Sequence, residues 1–158
     1  SRNFITINKG SIDSIAPGMA VIGQSGIVGK VKAVSKNFSV VTSILNIDEY
    51  VSVQIRRTGN FATLHWDGVD GAYARLLYLP RHASVWAGDT IMTSGYNAVF
   101  PRNLPVGIIR KVDLPPNAVF YEVTMELSQD FSRLQFVNVI RSRNVMEIDS
   151  LQQSVRKK

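Results

Sequence analysis

His65 and His82 are the only imidazoles in the chain, and the most inviting serine, Ser94, lies between Thr93 and Gly95. With Asp89 or Asp67 as the carboxylate, these residue types could make a Ser-His-Asp hydrolase. In such enzymes the nucleophile sits in a Gly-Asp-Ser-Gly run whose backbone amides form the oxyanion hole. Here Thr90 to Thr93 separate Gly88-Asp89 from Ser94-Gly95, so that run is absent. His65 precedes Trp66 inside an apolar run, the setting of a packed or strand-edge histidine. The chain has no cysteine, which removes thiolate nucleophiles, thiolate metal ligands and disulfides together. Two histidines seventeen positions apart are too few for a zinc centre. Gly23, Gly26 and Gly29 follow a G-x-x-G-x-x-G spacing, but no helical pattern follows to present its N-terminus to a phosphate. They read as hairpin glycines. Asp48 and Glu49 point to opposite faces of an extended segment and make no acid/base pair. No catalytic residue, metal or cofactor is therefore assigned, and a serine protease is not expected.

The elements that would have to position any such group are strands. Short apolar runs at period two recur over Phe4–Ile7, Met19–Ile22, Gly26–Ser35, Phe38–Leu45, Tyr50–Arg57, Phe61–Trp66, Ala72–Leu79, Thr90–Thr93, Pro105–Val112, Val119–Leu127 and Leu134–Ile140. Gly, Pro, Asn and Asp separate them, and no helical crossovers intervene, so the strands must be mainly antiparallel. The expected fold class is all-β: two small β-barrels with a short C-terminal tail. Arg57-Thr58-Gly59-Asn60 is the best internal joint. It gives a first barrel over residues 1–58, to which the last strand can return, and a second over 59–141. In Val28 to Val34 a bend at Gly29 is expected. Residues 142–158 form a tail, either frayed or a short amphipathic helix on Val145, Ile148, Leu151 and Val155.

At 158 residues the chain can bury a substantial core without staples. Hydrophobic residues at 45% and charged residues at 19% exclude wholesale disorder. No run approaches the length of a membrane span, and residues 1–10 lack a leader pattern. A start at Ser1 reads as a piece of a longer protein, so this says nothing about an anchor elsewhere. The net charge is +6, but from Arg141 onward five basic residues face two acidic ones, so half the excess sits in the last eighteen positions. The body has only two adjacent basic pairs, Arg56-Arg57 and Arg110-Lys111. A phosphate-tracking surface needs a denser stripe with aromatics between the cations, so nucleic acid is not an expected partner. A small-barrel nucleic-acid module and, behind it, a trypsin-like hydrolase are the alternative readings.

The most unusual segment joins two strands. Tyr96 to Pro105 carries Tyr96, Phe100, Pro101 and Leu104 where water ordinarily favours polar residues. These four are the candidate partner-binding residues. Plugging a barrel end is the competing role for Phe100 and Leu104.

Asn8-Lys9-Gly10-Ser11, Pro17 to Ile22, Gly26 to Val31, Gly88-Asp89 to Thr93-Ser94-Gly95, and Phe100-Pro101-Arg102-Asn103-Leu104-Pro105-Val106-Gly107 together resemble the MreC family of bacterial rod shape-determining proteins. The likeness runs over residues 4 to 141. Asp13-Ser14 departs from the Asp-Gly common in the family. The resemblance implies two barrels arranged as in chymotrypsin-like proteases, without catalysis. It also implies a scaffold of the cell-elongation machinery that organises peptidoglycan synthesis. The implied partners are the elongation transpeptidase, a penicillin-binding protein, together with MreD and other shape proteins, and self-association as a homodimer is implied too. The implied location is the periplasmic face of the inner membrane, the full-length protein being anchored there.

Overall fold

A computed structural model describes residues 2–96, 99–141, 151, 154 and 155. Each apolar run becomes a strand: β1 (Arg2–Ile7), β2 (Ala20–Ile22), β3 (Ile27–Val34), β4 (Ser39–Asn46), β5 (Tyr50–Ile55), β6 (Phe61–His65), β7 (Tyr73–Leu77), β8 (Thr90–Thr93), β9 (Pro105–Asp113), β10 (Glu122–Leu127) and β11 (Asn138–Ile140). Every strand pairing is antiparallel, as the short connections require. The tail expected over 142–158 lies outside the described residues except at Leu151, Ser154 and Val155, which are helical and exposed.

The chain builds two units. Strands run β1-β4-β3-β2-β11 in the first, a five-stranded sheet, and β10-β7-β6-β5-β8-β9 close the second into a barrel. Closure removes the exposed edges of the second unit. In the first, β1 and the segment before β11 flank one crevice lined by Ile5, Ile7, Leu134, Val137 and Val139. Asp130 caps a short 3-10 turn over Phe131–Arg133 by accepting from the Ser132 amide, so β11 starts only at Asn138. It pairs with β2, which returns the chain to the first unit.

The division falls ahead of β5 and not at Gly59. β5 pairs with β6 and β8 and belongs wholly to the barrel. Thr58-Gly59 closes the β5–β6 hairpin, with Gly59 at φ +75° and its amide donating to the Ile55 carbonyl. Turn residues announce a reversal of the chain, and a hairpin and a domain joint need the same ones. The actual joint is Ile47–Glu49, where the Asn46 side chain accepts from the Asp48 amide at 3.0 Å and its carbonyl from the Glu49 amide at 3.0 Å.

Val21, Val28, Val31 and Val41 form the core of the first unit. Ala20, Ile27, Ile44 and Leu45, on the same strands, join the barrel's own cluster around Val53, Leu76, Ile91 and Met125. The two units are thus fused through apolar packing. Alternation along β3 breaks where its register with β4 shifts between Val31 and Ala33, which turns Ala33 outward. Ser14 sits in the left-handed region at φ 65°, the conformation that explains a glycine preference there.

Candidate interaction surface

The residues most recognisable in the sequence work inside the barrel. Asp89 is buried and receives two charged hydrogen bonds from Arg57, Nε at 2.8 Å and Nη2 at 2.9 Å, and one from the Trp86 amide at 2.9 Å. The Arg57 guanidinium also lies over the Trp86 ring, 4.5 Å from its centroid. Thr93 ties both ends of the following loop together. Its hydroxyl donates to the Pro101 carbonyl at 2.6 Å and accepts from the Leu104 amide at 2.8 Å. Gly95 takes φ +73°, and a Cβ there would press on Arg102. Phe100 is only 8% exposed and sits in the barrel core, with half-buried Leu104 packed against it. Pro101 is half-buried. Of the four loop residues singled out in the sequence, the structure puts only Tyr96 fully at the surface, 73% exposed. Phe100 and Leu104 plug the barrel end because a loop tied at Thr93 must fold its apolar side chains back over the open core.

Tyr96 has neighbours that the sequence reading missed. Tyr50 and Phe61, 55% and 61% exposed, stand on the outer face of β5 and β6. Phe61 and Tyr96 meet with ring centroids 6.4 Å apart. Tyr50 pairs across the ladder with His65 and stacks flat on it, centroids 4.4 Å apart and 9° between planes. The Ile47 carbonyl lies 2.8 Å from His65 Nε2 and accepts its proton, which fixes the imidazole. The available signal was the alternation: in Tyr50-Val51-Ser52-Val53 and Phe61-Ala62-Thr63-Leu64 an aromatic takes a slot on the polar face. Beside these rings lies a cleft of about 210 Å³, lined by Tyr50, Tyr96 and Ser52 and by Lys30 and Glu49, whose charged ends are 3.4 Å apart.

The ingredients of a hydrolase are each bonded to other partners. Ser94 donates to the Ser52 hydroxyl at 2.8 Å and accepts from the Tyr96 amide. His65 is engaged by Ile47, Asp89 by Arg57, and Asp67 by Arg75 at 3.4 Å. Neither basic pair forms a phosphate track, since Arg57, Arg110 and Lys111 each face a carboxylate, Asp89, Glu126 and Asp113.

Arg57's hydrogen bonds hold the Asp89 carboxyl below its ordinary value of 3.8. A lowered folded pKa contributes stability above the ordinary value, and that stability is lost as pH falls through the lowered one. Asp89→Asn is expected to cost about 1–3 kcal/mol at neutral pH, with the gap to wild type closing below pH 3.8. Urea melts of both proteins at a series of pH values check it; a gap that stays constant down to acid would mean the pair contributes no charge-dependent stability.

A closed six-stranded barrel fused to a five-stranded sheet, with aromatic rings on its outer wall, defines an all-β domain of barrel-and-sheet type. The family model for the barrel core of the rod shape-determining protein MreC matches residues 1–141, and the chain belongs to the MreC family. The cell shape-determining protein MreC of Caulobacter vibrioides is 33% identical over 146 residues, 87% of this chain and 42% of that protein. The Escherichia coli protein is 27% identical over 84% of this chain and 36% of its own length. The chain therefore spans less than half of either relative. The crystal structure of MreC from Pseudomonas aeruginosa superimposes with a TM-score of 0.82 at 25% identity, covering 87% of this chain and 88% of that one. MreC in its complex with the penicillin-binding protein PBP2 from Helicobacter pylori shares the fold at a TM-score of 0.56 and 14% identity, over 75% of this chain and 73% of that one.

Proposed function

We propose that this chain is the partner-binding part of a non-enzymatic scaffold that maintains rod shape by docking the elongation transpeptidase, a penicillin-binding protein. The observation that carries the reading is the aromatic ridge of Phe61 and Tyr96, exposed side chains in ring contact on the outer wall of a closed barrel. Contiguous exposed aromatics are uncommon on surfaces that meet only water, and aromatic side chains supply much of the binding energy at protein interfaces. The Helicobacter pylori complex supports a penicillin-binding protein as the partner class, because its MreC shares this fold. In this reading the domain works at the extracytoplasmic face of the cytoplasmic membrane, held there by parts of a longer protein. MreD, other shape proteins and a second copy are its further partners. Docking acts by population shift, the ridge binding one arrangement of the transpeptidase better than another.

A titration of the chain against the extracytoplasmic part of the transpeptidase tests this. Saturable binding is expected, and Phe61→Asp is expected to weaken it about tenfold or more while leaving the melting transition in place. Equal affinity of the folded variant would remove the ridge from the interface.

A further inference from the structure

We propose that the cleft between Tyr50 and Tyr96 binds a single ring of a neutral saccharide. Its walls set the ligand's chemistry. Tyr50 is held flat by its stack on His65, which covers one face of the phenol and leaves the rest of the ring, 55% exposed, to line the cleft. Tyr96 lines it too, positioned by the turn at Gly95 and by the bond from its amide to Ser94. Two exposed tyrosines offer flat apolar surface to a ligand with a flat apolar face, at little cost in side-chain entropy. The same cleft is lined by a cation, Lys30, and an anion, Glu49, 3.4 Å apart, and by Ser52.

Because the two charges are paired, the cleft carries no excess charge to attract a net-charged ligand, while the remaining ammonium protons and carboxylate lone pairs offer donors and acceptors to a neutral one. A pyranose ring unites those properties, with axial C–H groups on one face and hydroxyls around its edge. The volume, about 210 Å³, is below the roughly 300 Å³ at which drug-sized sites begin, so the cleft takes one ring of a chain and not two. An extended protein segment would want a longer groove or a longer unpaired backbone edge. On one side β6 pairs with Tyr50–Gln54; on the other β8 pairs with Val53–Ile55 and the Ser94 amide donates to the Ser52 carbonyl, which leaves only the Tyr50-Val51 stretch of that edge.

The test is a titration of the isotope-labelled chain with tri-N-acetylchitotriose, followed by amide chemical shifts, with no transpeptidase present. Its failure is therefore separate from failure of the docking reading. Saturable shifts centred on Tyr50, Ser52 and Tyr96 are expected, with a Kd of about a millimolar. Tyr50→Ala and Tyr96→Ala are each expected to weaken binding about tenfold, whereas Tyr50→Phe keeps the stacking ring and retains it. No saturable shift up to about 10 mM sugar, or unchanged affinity in both alanine variants, overturns the proposal. A proline-rich peptide that saturates the same amides when the sugar does not would assign the cleft to a protein ligand and overturn it equally.

Discussion

Phe100→Asp is expected to unfold the barrel. Phe100 is 8% exposed and shares the main core cluster with Val53, Ile91, Val106 and other barrel residues. Removing a buried phenylalanine costs about 3–5 kcal/mol through lost transfer energy and the cavity left behind. A carboxylate in its place adds the penalty of a buried polar group without a partner. Single domains are stable by only about 5–15 kcal/mol, so the sum takes away most or all of the margin. Near-UV circular dichroism and a urea melt check this, and a variant with the wild-type transition would place Phe100 outside the core. The result also decides how binding data are read. Loss of a partner in Phe100→Asp would report the fold, which is why Phe61 is the informative position on the proposed ridge.

Gly29→Ala is the second large effect, and it acts on the other unit. Gly29 pairs with Ser43 in the ladder between β3 and β4. A Cβ built there falls on the Thr42 carbonyl oxygen, 2.9 Å from its carbon and 3.1 Å from Ser43 Cα. All three obstacles are backbone, so no rotamer change relieves them, and β3 must move away from β4. Replacing glycine by alanine gains about 0.4–1 kcal/mol by restricting the unfolded chain. Overpacking against a paired strand costs about 3 kcal/mol and wins. The net loss of about 2–2.6 kcal/mol gives an expected fall in Tm of roughly 4–10 °C for a chain of this size. Faster hydrogen exchange should accompany it along β3 and β4. A variant as stable as wild type would show that the two strands can separate at that point without loss. Gly29 is thus required by the close approach of the neighbouring backbone, and the irregularity between β3 and β4 falls further along, between Val31 and Ala33.

Local pattern carried much of the reading because alternation and turn chemistry are properties of a few adjacent residues. Val51, Val53 and Ile55 alternate with Ser52 and Gln54, and that segment is β5. The strand ends were harder. Leu134 to Val137 looks extended, yet the Asp130-capped turn ahead of it leaves only Asn138–Ile140 in the ladder. The loop from Tyr96 to Pro105 was legible as unusual, but not which of its apolar side chains turn inward. That depended on Thr93 binding the far end of the loop at Pro101 and Leu104.

By itself the sequence determined the all-β class, the eleven strands, the lack of thiol chemistry, and, through the order of its short signatures, the MreC family. These follow from side-chain type and near spacing, which act over a few residues whatever the rest of the chain does. Only the tertiary structure decided that β5 belongs to the barrel, that Phe100 is core and Tyr96 is surface, and that Tyr50, Phe61 and Tyr96 share one wall. Tyr50 and Tyr96 are far apart along the chain. Their meeting follows from the β5–β8 register, which pairs Val53 with Thr93, and register is set by the packing of the whole barrel.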